Sequence, residues 1–105
     1  MDGNTTVKYL QSYLKQKDFL PGKEMNYFLK LVEEVGEVSE AIFHGKFRKP
    51  GQPIKGTLDE ELWDVMYFVL CLANLYGIDM EETIREKEQL NNLRFHDERP
   101  FQVGR

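Results

Sequence analysis

Apolar residues recur along this chain at helical spacing in four separate stretches, and nowhere with the alternation of a strand. Over residues 5–18 the pattern is Val7, Leu10, Tyr13 and Leu14, closed by Pro21-Gly22. From about Met25 a longer pattern runs through Phe28, Leu31, Val32, Val35, Val38 and Ile42, and Gly45 stands where a C-terminal cap belongs. The segment 46–56, KFRKPGQPIKG, holds two prolines, two glycines and four basic residues and reads as a loop. Thr57 and Glu60 have the spacing of a capping box, which predicts a third helix from there to about Tyr76, with Gly77 as its stop. Asp79 and Glu82 repeat that spacing ahead of a fourth helix reaching about Phe95. The expected architecture is all-α: a four-helix, bundle-like single domain over residues 1–105, with its core in about 5–95 and an irregular tail at 96–105.

The third helix adds an expectation about assembly. Residues 65–73 are an unbroken apolar run of nine, and Leu62 and Trp63 extend it, so its apolar positions surround the axis. A helix apolar all round must be covered all round. Three partner helices from a chain of 105 residues cover only part of it, which predicts a homodimer or homotetramer. A crowded monomer core is the alternative. Nine apolar residues are about half of what a membrane span requires.

Composition narrows the classes. With 41% hydrophobic and 30% charged residues the chain has a globular balance, and scaling rules hide about two-thirds of its surface on folding. Fourteen basic against 18 acidic residues leave a net charge of −4, which argues against sequence-independent binding to nucleic acid. The single cysteine, Cys71, excludes an internal disulfide framework and a cysteine-rich zinc site. It lies inside the apolar run, as a buried thiol in a reducing compartment would. The opening residues lack a signal-peptide pattern, so the expected compartment is the cytoplasm.

The chemistry lies in the carboxylates. The second helix carries Glu33, Glu34, Glu37 and Glu40 with no Lys or Arg between Lys30 and Lys46. Like charges three and four apart on a helix repel, and a merely solvated face usually interleaves lysines. At about 100° per residue Glu34 falls beside the apolar stripe and Glu37 next to it, while Glu33 and Glu40 point further out. On the third helix Glu61 and Asp64 form another pair three apart, and Asp64 is flanked by Trp63 and Val65. An unpaired carboxylate among apolar neighbours is costly. Two acidic pairs turned toward one interface make a hole for a hard cation, for which Mg²⁺ or Mn²⁺ suits an all-oxygen donor set. A di-iron carboxylate bundle would want Glu-x-x-His on two helices, and neither His44 nor His96 stands three residues after a Glu.

The string EEVGE at 33–37 followed by ELWD at 61–64 resembles the EExxE…ExxD form of the MazG-like nucleoside triphosphate pyrophosphohydrolases, an all-α family. The likeness extends through LANLYGIDMEETIREKEQLNNLRF at 72–95 and covers roughly residues 25–95. The resemblance implies Mg²⁺-dependent hydrolysis of a nucleoside triphosphate to the monophosphate and pyrophosphate. By motif position Glu34, Glu37, Glu61 and Asp64 would be metal ligands, and Glu33, with Glu34, would serve catalysis by positioning or deprotonating the attacking water. On the fourth helix Lys87 and Asn91 resemble family residues that contact phosphate, and Arg94 continues their stripe. A solvated face is the other reading of that stripe. The base and sugar preferred are not fixed by these motifs.

Three groups of residues stay open between roles. The loop cations Lys46, Arg48, Lys49 and Lys55 either fold over a triphosphate or keep the loop soluble. Trp63, Tyr67, Tyr9 and Tyr13 either stack on a base or pack as core. Asn74 either hydrogen-bonds a base or satisfies a helix end. A non-catalytic helical interaction module with an acidic cation-binding face is the alternative function.

Overall fold

The computed structural model describes residues 4–95, with side chains described as far as Asn92. It consists of four helices, α1 (Val7–Lys17), α2 (Glu24–Phe43), α3 (Leu58–Leu75) and α4 (Met80–Phe95), with no strand among the described residues. The architecture is all-α, and each helix lies within a residue or two of its expected ends. The tail expected at 96–105 lies outside the described residues.

Local chemistry sets the helix ends. Thr6 caps α1 by accepting from the Tyr9 N–H at 3.0 Å, and the Asp79 carboxylate accepts from the Glu82 N–H at 3.2 Å ahead of α4. At the start of α3 the Thr57 hydroxyl oxygen accepts from the Glu60 N–H, while the Glu60 carboxylate reaches back to the Gly56 N–H at 2.8 Å. This is the predicted box displaced by one backbone amide. The two glycine stops share one geometry. Gly45 and Gly77 have φ of 64° and 65°, a conformation only glycine adopts without strain. Beyond them the Lys46 N–H returns to the Ala41 carbonyl and the Ile78 N–H to the Ala73 carbonyl, closing a Schellman motif on α2 and on α3.

α3 is the central element: α1 and α2 both pack along it, and α4 packs against α1. The core joins Leu14, Tyr27, Leu70 and Cys71, with Leu10, Tyr67 and Phe68 packed against them. Asp18 stands at its edge, where Tyr27 Oη donates to Oδ1 and Tyr67 Oη donates to Oδ2 at 2.6 Å. Burial, and then these bonds to a carboxylate, push both phenols up from their ordinary range, so they remain donors. Burial likewise pushes the Cys71 thiol up to about 12.

The bend between α3 and α4 is fixed from α1. The buried Gln11 amide nitrogen donates to Asn74 Oδ1 and to the Ile78 carbonyl, its oxygen accepts from the Met80 N–H at 2.9 Å, and Asn74 Nδ2 returns a bond to the Gln11 carbonyl. Asn74, left open between a base contact and a helix-end role, is thereby committed to the fold. α4, measured to Asn92, leaves α3 at 101°. It does not fold back along α3.

The single chain does not cover α3 completely. Leu62 and Met66 are each 49% exposed and Tyr76 is 63% exposed, and on α2 Val32, Val35 and Ile42 are exposed to a similar degree. No single helix among the described residues is long and apolar enough to cross a membrane.

Candidate metal centre

α2 and α3 pack antiparallel, so Tyr27 meets Phe68 at one level and Glu34 meets Glu61 and Asp64 about two turns further along. Each helix contributes carboxylates at that level because the same register that buries Tyr27 and Cys71 turns Glu34 and Asp64 inward. The loop between the helices is tied across their ends by the Leu58 N–H donating to the Lys46 carbonyl at 2.8 Å. The first turn of α3 is thereby held beside the last turn of α2.

One carboxylate oxygen from each of Glu34, Glu61 and Asp64 lies within 4.8 Å of the other two, and all three residues are half-buried. Burial raises the Glu34 carboxyl above its usual range, and repulsion from Asp64, Glu61, Glu37 and Glu33 adds to it. Glu61 is raised by burial and by Asp64, Glu37 and Glu60, with Lys46 opposing. Asp64 is raised by burial and by Glu60, with Lys55 opposing. The cause is the same throughout: partly desolvated like charges with too little positive charge among them.

The donor set fits a hard divalent cation. Three carboxylates offer only oxygen, and each is harder to ionise beside the others, so a bound cation would relieve repulsion at every ligand. No imidazole or thiolate belongs to this cluster.

The other expected site residues divide. Glu37 is exposed and lies outside the three-oxygen cluster, although its charge acts on both Glu34 and Glu61. Glu33 is exposed with its carboxylate 3.9 Å from Lys30 Nζ. Lys87, exposed, and Asn91, half-buried, stand on α4, beyond the opposite end of α3 from the carboxylates. The Arg94 side chain lies outside the described residues.

The loop cations also divide. Lys46 and Lys55 act electrostatically on Glu61 and Asp64, whereas Arg48 lies 3.9 Å from Asp59 and donates to the Gln52 carbonyl. Sequence spacing could not separate the first pair from the other loop cations, because a loop fold and not a helical period brings those lysines back. The aromatics line a groove of about 610 Å³ between α1 and α3, with Tyr9 stacked on Tyr13, Trp63 edge-on to Tyr67, and Lys17 Nζ over the Tyr13 and Tyr67 rings.

Comparison with known proteins agrees with the fold. A crystal structure of iMazG from Vibrio DAT 722 (the Ntag-iMazG form) matches with a TM-score of 0.81 at 42% identity, covering 89% of this chain and 100% of that one. A Ctag-iMazG structure from the same source matches with a TM-score of 0.78 at 45% identity, covering 84% of this chain and 99% of that one. The uncharacterized protein YpjD of Bacillus subtilis (strain 168) is 34% identical over 55 residues, and the match spans about half of this chain and half of that relative, 50% in each case. Residues 23–90, which run from the start of α2 to most of the way along α4, match the MazG nucleotide pyrophosphohydrolase domain. The chain is a member of the MazG nucleotide pyrophosphohydrolase family.

Proposed function

We propose that the protein is a nucleoside triphosphate pyrophosphohydrolase dependent on Mg²⁺ or Mn²⁺, acting in the cytoplasm as a homodimer or homotetramer. The observation that carries this reading is the convergence of Glu34, Glu61 and Asp64, from two different helices, in a chain of this family. These three residues hold the cation, with Glu37 beside them as the fourth carboxylate. When bound, the cation supplies positive charge against the phosphates and lowers the pKa of a coordinated water.

The chain's own residues supply the rest. Glu34 is shared between ligation and catalysis. Glu33, next to it and open to solvent, accepts the proton as water attacks the α-phosphorus. The bond from that phosphorus to the bridging oxygen breaks, pyrophosphate leaves, and the new oxygen stays on the monophosphate. Lys87, Asn91 and Arg94 contact the phosphates: Lys as a point charge, Asn as donor and acceptor, Arg as a planar fork.

The test is a panel of standard and damaged nucleoside triphosphates with Mg²⁺ in ¹⁸O-labelled water. Expected products are pyrophosphate and a monophosphate carrying the label. Orthophosphate as the primary product would replace the reading with another phosphatase chemistry. Silence across the panel in folded protein would favour the non-catalytic interaction module.

A further inference from the structure

Two lysines of the loop between α2 and α3 are placed at the cluster by backbone bonds. The Lys46 N–H donates to the Ala41 carbonyl in the last turn of α2, and its carbonyl accepts from the Leu58 N–H at the start of α3, each at 2.8 Å. Lys46 is thus pinned to both helices that build the site. Glu61 follows Leu58 by three residues, about 4.5 Å along α3, and the Lys46 charge opposes the repulsion felt there.

Lys55 is placed from the other end of the loop. The Thr57 N–H and hydroxyl both donate to the Ile54 carbonyl, at 3.0 and 2.6 Å, so Lys55 sits inside a closed turn directly ahead of α3. Gly56 completes that turn at φ 79°, and its N–H is held by the Glu60 carboxylate at 2.8 Å. The Lys55 charge acts on Asp64 as that of Lys46 acts on Glu61.

The four loop cations are not equivalent. Arg48 is engaged by Asp59 and by the Gln52 carbonyl, and Lys49 is not among the charges that shift the three cluster carboxylates. Lys46 and Lys55 act on the cluster, yet neither ammonium group forms a salt bridge or a side-chain hydrogen bond among the described residues. Their donors stand beside the carboxylates uncommitted.

Charge indicates what they hold. Three carboxylates with one divalent cation leave a negative charge, to which Glu37 and Glu60 add, and such a site repels a phosphate chain. Two lysines offset that charge and offer three donors each to phosphate oxygens. The β- and γ-phosphates carry most of the charge of a triphosphate, and leaving pyrophosphate gains more as its bond breaks, so cations act best on that portion.

We propose that Lys46 and Lys55 grip the phosphates that leave as pyrophosphate, at the carboxylate cluster of their own protomer. This rests on the nucleotide-hydrolysis reading of the cluster. It adds the α2–α3 loop to the substrate contacts.

Binding of inorganic pyrophosphate with Mg²⁺, followed by titration calorimetry, tests the contact without any hydrolysis. Both side chains are exposed and the bonds that place them are backbone bonds, so Lys46→Gln and Lys55→Gln keep the fold. Each should weaken pyrophosphate roughly tenfold and raise the apparent KM for an equimolar mixture of the four deoxynucleoside triphosphates by a similar factor. Lys46→Arg should retain most of the affinity, and Lys49→Gln, on the same loop, should match wild type. Mg²⁺ alone should bind the Gln variants at least as tightly as wild type, because a competing positive charge has left Glu61 or Asp64. A structural role would instead lower the melting temperature and leave pyrophosphate binding unchanged. Unchanged pyrophosphate affinity in both Gln variants, an equal loss in Lys49→Gln, or no binding by wild type overturns the proposal. Loss of pyrophosphate affinity as expected, in a protein that hydrolyses no nucleotide, would overturn the hydrolase reading and leave the phosphate contact standing.

Discussion

Asp64 is the residue on which the metal reading is most exposed to test. Asp64→Asn keeps the shape and removes a charge the cation needs, so Mg²⁺ should raise the wild-type melting temperature and do so much less in the variant, as calorimetry would show. Hydrolysis should fall with it, while Glu40→Gln, whose carboxylate lies 3.2 Å from His44 on an exposed face, should change little. Without metal the sign runs the other way. Folding raises the Glu34, Glu61 and Asp64 carboxyls, so their contribution to stability is present below the ordinary carboxylate range and is lost as pH rises through the raised values. Metal-free wild type should therefore lose more stability than Asp64→Asn between about pH 4 and pH 7, and parallel melting curves would contradict it. The inward acidic pairing of Glu34 with Glu61 and Asp64 was legible in the sequence because it follows from helical angle and from apolar flanks. The Asp18 carboxylate shared by Tyr27 and Tyr67 was not legible: it joins three segments, and nothing periodic marks a residue that sits after a helix end.

Among the elements, the bend after α3 concentrates the most specific interactions for its size. Gln11→Ala would leave the Ile78 carbonyl and the Met80 N–H without partners and remove the bond to Asn74, which should cost about 1–3 kcal/mol by denaturant titration. Gly77→Ala forces a side chain into a left-handed conformation at φ 65° and should cost about 1–2 kcal/mol, although a Cβ there meets no atom within 4 Å. Comparison of the two variants separates bond loss from backbone strain. Helix ends were read closely from sequence because caps and glycine stops are local chemistry, visible within five residues. The direction of α4 was not readable, since a glycine stop says that a helix ends and nothing about where the next one goes. That direction depends on a glutamine more than sixty positions earlier, whose side chain accepts from the first N–H of α4.

At the scale of the molecule, the exposed apolar residues Val32, Val35 and Ile42 on α2 and Leu62 and Met66 on α3 should make the protein associate. Light scattering at micromolar concentration should give at least twice the chain mass of 12.4 kDa, and a value near 12.4 kDa throughout would remove the second copy. The incomplete cover of α3 was legible because residues 65–73 leave its second half without a polar face, a property of composition that survives any packing. Cys71 offers an independent gauge of the same structure. It is fully buried, and its thiol is held up to about 12, so maleimide or disulfide reagents at pH 8 should label it only when α1 or α2 lifts from α3. A chain with one thiol, lodged where its three packed helices meet, thus carries its own clock. The labelling half-life, followed across dilution, would report how much longer each protomer stays shut for having a neighbour, in a protein to which no probe has been added.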